Sequence, residues 1–201
     1  MTLSSHHSLS DDRQHTPSQG HPQSAGSSDM SHLTANERLP LPSSTHHRLE
    51  SLVGVWRVQL TLRPTAEASP IVSTDLICRI QWIIGGRYLE EKMEGTLGGK
   101  PYTRQGYLTY HTLLQRYEYL TMDNLDTGFM TSYSMDDKDA HVSLYGSFVQ
   151  AGYGQEIVGR VMKLRYIWFL EDTEHPKMQM YVTAPANKEF LLAEFVYTPQ
   201  S

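Results

Sequence analysis

From Trp56 to the C-terminus, apolar residues recur at every second position in short runs, and each run is cut by a turn signal. Side chains on a strand point alternately to opposite faces, so this period of two suits a sheet with one buried face and does not suit a helix. Trp56, Val58, Leu60 and Leu62 alternate with Arg57, Gln59, Thr61 and Arg63 until Pro64 stops the run. Leu76, Cys78, Ile80, Trp82 and Ile84 repeat the pattern before the Gly85–Gly86 pair. Further strands are predicted at about 87–95, 101–110, 116–124, 127–135, 141–149, 155–170, 177–184 and 188–197. Between them lie GTLGGKP, HTLLQ, LDTG, DDKDA, AGYG, EDTEHP and PANK, all short and turn-like.

Ten consecutive antiparallel strands leave two unpaired edges unless the sheet closes, so a barrel is favoured over the competing two-sheet sandwich. A closed barrel of eight to ten strands encloses a space that its side chains fill or that holds one small ligand. Just before the first strand, Ser44 or Thr45 can cap a short helix in which Leu49, Leu52 and Val53 recur at helical spacing, with Gly54 ending it. The expected fold class is all-β: a single antiparallel barrel of about ten strands with a short N-terminal helix, preceded by a disordered tail.

That tail is residues 1–44, rich in Ser, His, Gln, Gly and Pro and without an aromatic residue, since all Phe, Trp and Tyr residues lie at or after Trp56. A segment of this kind buries too little apolar surface to offset its ordering entropy, on the order of 1–2 kcal/mol per residue. His6, His7, His15, His21, His32, His46 and His47 crowd the N-terminal part. Their spacing is irregular, which favours a solvated tail over a metal site. The barrel domain is residues 45–201, enough for one core burying roughly 70% of its unfolded surface. No run approaches the roughly 18–20 apolar residues of a membrane-spanning helix. The N-terminus lacks the basic-then-apolar order of a secretory signal, so the expected location is cytoplasmic. The single Cys78 has no partner for an internal disulfide. A net charge of -5 without a basic block argues against nucleic acid as a partner.

The run HRLESLVGVWRV, then IIGGRYLEEKMEG, then YTRQGYLTYHTLLQRYEYLTMDNLDTG, then KEFLLAEFVYT resembles the bacterial family called domain of unknown function 1579 (DUF1579). The Gly54-Val55-Trp56 entrance is similar to the Gly-x-Trp start of calycin, or lipocalin-like, barrels. The resemblance implies a calycin-like barrel and no particular reaction. The sequence departs from the family pattern at His111 in place of an aspartate, Gln179 in place of a glutamate, and Pro199 in place of a basic residue. The last change removes a cover for the entrance tryptophan.

Charges in phase with apolar residues need a partner or a task. Glu194 is in phase with Phe190, Leu192 and Val196. Glu91 is in phase with Leu89 and Met93, Arg160 with Met162, Leu164, Tyr166 and Trp168, and Asp123 follows Tyr117, Tyr119 and Thr121. Glu194 is expected to face inward against Arg160 or Arg87, either fixing the register as an ion pair or orienting a ligand. Three functional readings stay open. The leading one is a binding module for a small, mostly apolar or amphipathic ligand, up to a chain of about 10–12 methylenes, lined by Trp82, Tyr117, Tyr119, Phe148, Met162, Tyr166 and Met180. The second is a barrel enzyme using Glu91, Asp123 or Glu194 as a general acid or base. The third is an interaction protein that uses the barrel as a platform and the tail as its contact. No cofactor is expected: GG and GTLGG sit between strands with no helix to follow, no G-x-S-x-G occurs, and His141 is the only strand histidine placed for a haem as in nitrobindin-like barrels. His111 and His175 fall in turns.

Overall fold

The computed structural model describes residues 34–38, 41–134, 141–151, 158–183 and 188–200. Of the tail expected to be disordered over residues 1–44, residues 1–33 and 39–40 lie outside them, as do the predicted strand start at Gln155 and the predicted strand ends at Met135 and Ala184. At the front, Thr34 and Glu37 cap each other around a four-residue helical turn, α1 (Ala35–Arg38): the Thr34 N–H and Oγ1 both donate to Glu37 Oε2, at 2.8 and 2.7 Å.

The predicted single helix is two pieces, α2 (Ser44–His47) and a 3₁₀ turn (Glu50–Leu52), with Ser43 at the cap position rather than Ser44 or Thr45. Ten strands follow: β1 (Gly54–Leu62), β2 (Ile71–Ile83), β3 (Tyr88–Leu97), β4 (Lys100–His111), β5 (Arg116–Asp123), β6 (Met130–Ser134), β7 (His141–Val149), β8 (Val161–Phe169), β9 (Lys177–Thr183) and β10 (Phe190–Pro199). Each pairs antiparallel with its neighbours in the chain, and β1 pairs with β10 from Trp56↔Pro199 to Leu62↔Ala193, closing the barrel. The expected up-and-down barrel is therefore the fold, and closure leaves no unpaired edge. Among the described residues no helix is long and apolar enough to cross a membrane.

The strand boundaries that depart most from the sequence expectation are the starts of β2 and β8. β2 begins at Ile71, because Ile71 and Val72 pair with Leu62 and Thr61 through a polar stretch, Ser73–Asp75, that hides the alternation. β8 begins only at Val161, after a turn in which Gly159 takes φ +80°, a left-handed conformation that favours glycine.

Period-two burial is clear in β1, where Trp56, Val58, Leu60 and Leu62 are buried, and it recurs in β8 and β9. β10 carries apolar residues in both phases, and its pairing with β9 shifts register between Leu191 and Ala193. Past that shift Ala193, Phe195 and Tyr197 are the buried set. Such a bulge moves the inward phase by one residue.

The helical segment closes one end of the barrel. Leu49 and Leu52 join the core, the Tyr117 hydroxyl donates to Thr45 O (3.1 Å), Trp82 Nε1 donates to the Glu50 carboxylate (2.8 Å), and Trp56 Nε1 donates to Leu52 O (2.8 Å). Buried His46 packs edge-on against Tyr110, its ring centre 5.8 Å away. The Ser43 N–H donates to His46 Nδ1 (3.0 Å), so this nitrogen must be unprotonated and the imidazole neutral.

Burial, then the nearby Arg87 and His47, hold the His46 pKa below its ordinary 6.5. The unfolded chain therefore binds the extra proton. Stability from this residue is complete above about pH 6.5 and falls away as pH drops toward the folded-state pKa. His46→Gln keeps an acceptor at this helix position. The melting temperature of the wild type should thus fall more steeply between pH 7.5 and 5.5 than that of His46→Gln. Parallel pH profiles would show that the imidazole carries no such linkage.

Candidate functional site

At the middle of the barrel, register brings a polar cluster together. Glu91 on β3 lies opposite Gly106 on β4, which lies opposite Thr121 on β5, and Arg104 lies between Met93 and Asp123. Gly106 is what lets two large groups meet: a Cβ there would stand 2.7 Å from Glu91 Oε2 and 3.0 Å from the Tyr119 ring. Arg104, with 4% of its surface exposed, points into this space. Its Nη1 is 3.4 Å from Asp123 Oδ2, its Nη2 is 3.4 Å from the hydroxyls of both Tyr119 and Tyr166, and its Nε is 3.8 Å from Glu91 Oε1. The Tyr119 hydroxyl donates to Glu91 Oε2, and the Tyr197 hydroxyl donates to Glu91 Oε1 at 3.4 Å. Tyr166 also contacts Thr121 Oγ1 at 3.3 Å, and Phe195 lies under the guanidinium with its ring centre 5.4 Å from Cζ.

The electrostatics follow from this packing. Burial opposes the charge on Arg104, but the Tyr119, Tyr166 and Tyr102 hydroxyls and Glu91 outweigh it, so its pKa lies well above the ordinary value and the cation persists. Burial, and then Glu91, push the Tyr119 and Tyr197 hydroxyls well up, so both remain donors. The same two causes raise the Cys78 thiol, leaving it a packed, unreactive core residue.

The end of the barrel opposite the helical segment is open. Leu60, Leu62, Leu125, Phe148, Met180 and Phe195 form its apolar wall, and Tyr102, Arg104, Asp123, Asp126 and Gln150 supply the polar lining. The free volume is about 60 Å³, well below the roughly 300–1,000 Å³ of sites for drug-sized ligands and room for only a few waters. The interior is thus largely filled by its own side chains, and the expectation of a 10–12-methylene chain gives way to a small chamber. Larger hollows of about 480 and 540 Å³ lie outside the barrel, over the β2–β5 and β3–β6 faces.

Several expected site residues meet here. Glu91, Asp123, Tyr119 and Tyr166 belong to the Arg104 cluster, Met180 lines the mouth, and Met162 is buried in the core. Others do not meet. Tyr117 and Trp82 hold the helical segment at the far end. Arg160 is in phase with the inward residues of β8 but stands beyond the strand and is exposed. Glu194 is on the outer face, accepting from Gln179 Nε2 (2.6 Å), because the register shift in β10 reverses the phase that placed it inward. The expected Glu194–Arg160 pair is therefore corrected to Arg104 with Glu91 and Asp123, and Arg87 is no part of it. Of the three carboxylates considered as acid or base, Glu194 is outside and Glu91 is engaged by two tyrosines.

Arg104 was missed, although it is in phase with Tyr102, Leu108 and Tyr110. His141 sits on the outward phase of β7 against Phe169, its ring centre 5.8 Å away, and does not face the interior. His111 Nδ1 accepts from the Leu114 N–H in its turn (3.2 Å). The entrance tryptophan meets Tyr197 edge-on, with ring centres 6.4 Å apart. Among the described residues no three His, Cys, Asp or Glu side chains are grouped to hold a metal ion.

A search of curated proteins finds no match to the chain. The family model described as "Protein of unknown function (DUF1579)" matches residues 41–198, from the lead-in to α2 through nearly all of β10. With most of its length so matched, the chain belongs to the DUF1579 family.

Proposed function

We propose that the protein is a small-molecule binding module whose site is the open mouth of the barrel. The observation that supports this reading is an apolar funnel with a buried polar floor: Leu60, Leu125, Phe148 and Met180 lead to Arg104 and Asp123. Apolar walls with a few placed polar groups are the usual composition of a ligand site. The small volume sets the ligand at a few heavy atoms, so affinity is expected in the millimolar range, within the limit of about 1.5 kcal/mol per heavy atom. Leu192, half-buried on the mouth lining, offers the test. Leu192→Trp fills the chamber from its rim without entering the core. Protein-detected NMR titrations with small alcohols and amides should shift the amides of Leu60, Leu125 and Met180 in the wild type and leave Leu192→Trp unchanged. Equal responses in both proteins, or none in the wild type, would remove the mouth as a ligand site.

A further inference from the structure

The charges around the mouth select among ligands, and this step rests on the binding reading above. Arg104 is the one cation of the described lining, and it is already matched by two carboxylates within 4 Å, Asp123 on the lining and Glu91 behind it. Asp126 adds a third carboxylate to the wall. Its Oδ1 accepts the Thr127 N–H at 2.7 Å, and no cation lies within ion-pair distance of it among the described residues. One positive and three negative groups leave the site with a surplus of negative charge. Arg63 and Arg160 stand outside the lining, and Arg160 faces water, where salt screens it over about 8–10 Å.

We propose that the mouth takes small organic ammonium ions, with the cation beside Asp126 and Asp123 and the alkyl part against Phe148, Met180 and Leu125. Two further features favour this class. The Asp126 carboxyl is raised in pKa by burial and by Asp123, so an incoming cation relieves a repulsion already present. Phe148 adds aromatic surface, which attracts cations. A carboxylate ligand would instead meet Asp123 and Asp126 while finding the Arg104 charge already matched.

The test is a matched series of n-butylammonium, n-butanol and butyrate, titrated at pH 7 and low salt against the full-length protein and followed by NMR. Butylammonium should bind most tightly and butyrate least, and added sodium chloride should weaken the ammonium but not the alcohol. Asp126→Asn should reduce the ammonium affinity about fivefold or more, the scale of one partly solvated charge contact, with butanol unchanged. Butyrate binding as tightly as butylammonium, or an ammonium affinity indifferent to both salt and Asp126→Asn, would overturn the charge selection while leaving the mouth a binding site. Failure of all three probes would overturn the binding reading itself.

Discussion

Replacing Arg104 by methionine is expected to cost about 3–5 kcal/mol of unfolding free energy, the usual loss when one partner of a buried ion cluster is removed. Glu91 and Asp123 would be left in the interior without their common cation, and Tyr119 and Tyr166 would lose a hydrogen-bond partner. The arginine itself is not the source of a large net gain, because its burial is costly. The loss arises from stranding the carboxylates. The informative comparison is therefore the triple change Arg104→Met with Glu91→Gln and Asp123→Asn, which should recover a substantial part of the loss in urea denaturation. A single Arg104→Met protein as stable as wild type, or a triple variant weaker than the single one, would mean that the cluster does not act as one charge-matched unit.

Trp56→Ala is expected to cost about 3–5 kcal/mol, the range for removing a buried tryptophan. The ring lies between the 3₁₀ turn, whose Leu52 carbonyl it binds, and Tyr197 on the closing strand. Its removal empties a volume at the point where the helical segment, β1 and β10 meet. Leu49 and Leu52 would lose the surface that holds them over the closed end, so the amides of α2 should lose hydrogen-exchange protection along with the global fall in stability. Global stability close to wild type after this change would show that the tryptophan is dispensable at the strand closure. Retained α2 protection would show that the segment is anchored mainly by Tyr117 and Trp82.

The alternation that begins at Trp56 was enough to read about ten strands in an up-and-down order, and it favoured a barrel over a sandwich, but the closure itself rests on the β1–β10 pairing. Pairing consecutive strands needs only a period of two and a turn between each pair, and both are local properties. A helical lead-in before the first strand was legible from the spacing of Leu49, Leu52 and Val53, but its cap at Ser43 and its break into α2 and a 3₁₀ turn were not. The site was legible only in part. Glu91 and Asp123 lie in strands whose inward phase is marked by neighbours such as Leu89, Met93, Tyr117 and Tyr119, so their inward direction could be read.

Glu194 could not be placed in this way, because β10 is apolar on both phases and a register shift after Leu191 decides which phase is inside. Arg160 has the right phase but lies just before the first residue of its strand, and only the three-dimensional position of the β7–β8 turn shows that it reaches water. Arg104 was hidden because Arg104 and Gly106, two residues apart on one face, interrupt the apolar set of β4, and the polar Thr103-Arg104-Gln105-Gly106 run reads locally as solvated. Tertiary structure reverses that reading. The missing Cβ at Gly106 makes room for the Glu91 carboxylate and the Tyr119 ring from two other strands, and their convergence on Arg104 makes its burial tolerable. Strand identity and phase are written in the spacing of single segments. Charge matching and cavity size depend on atoms brought together from β3, β4, β5, β8 and β10, and no local pattern encodes those distances.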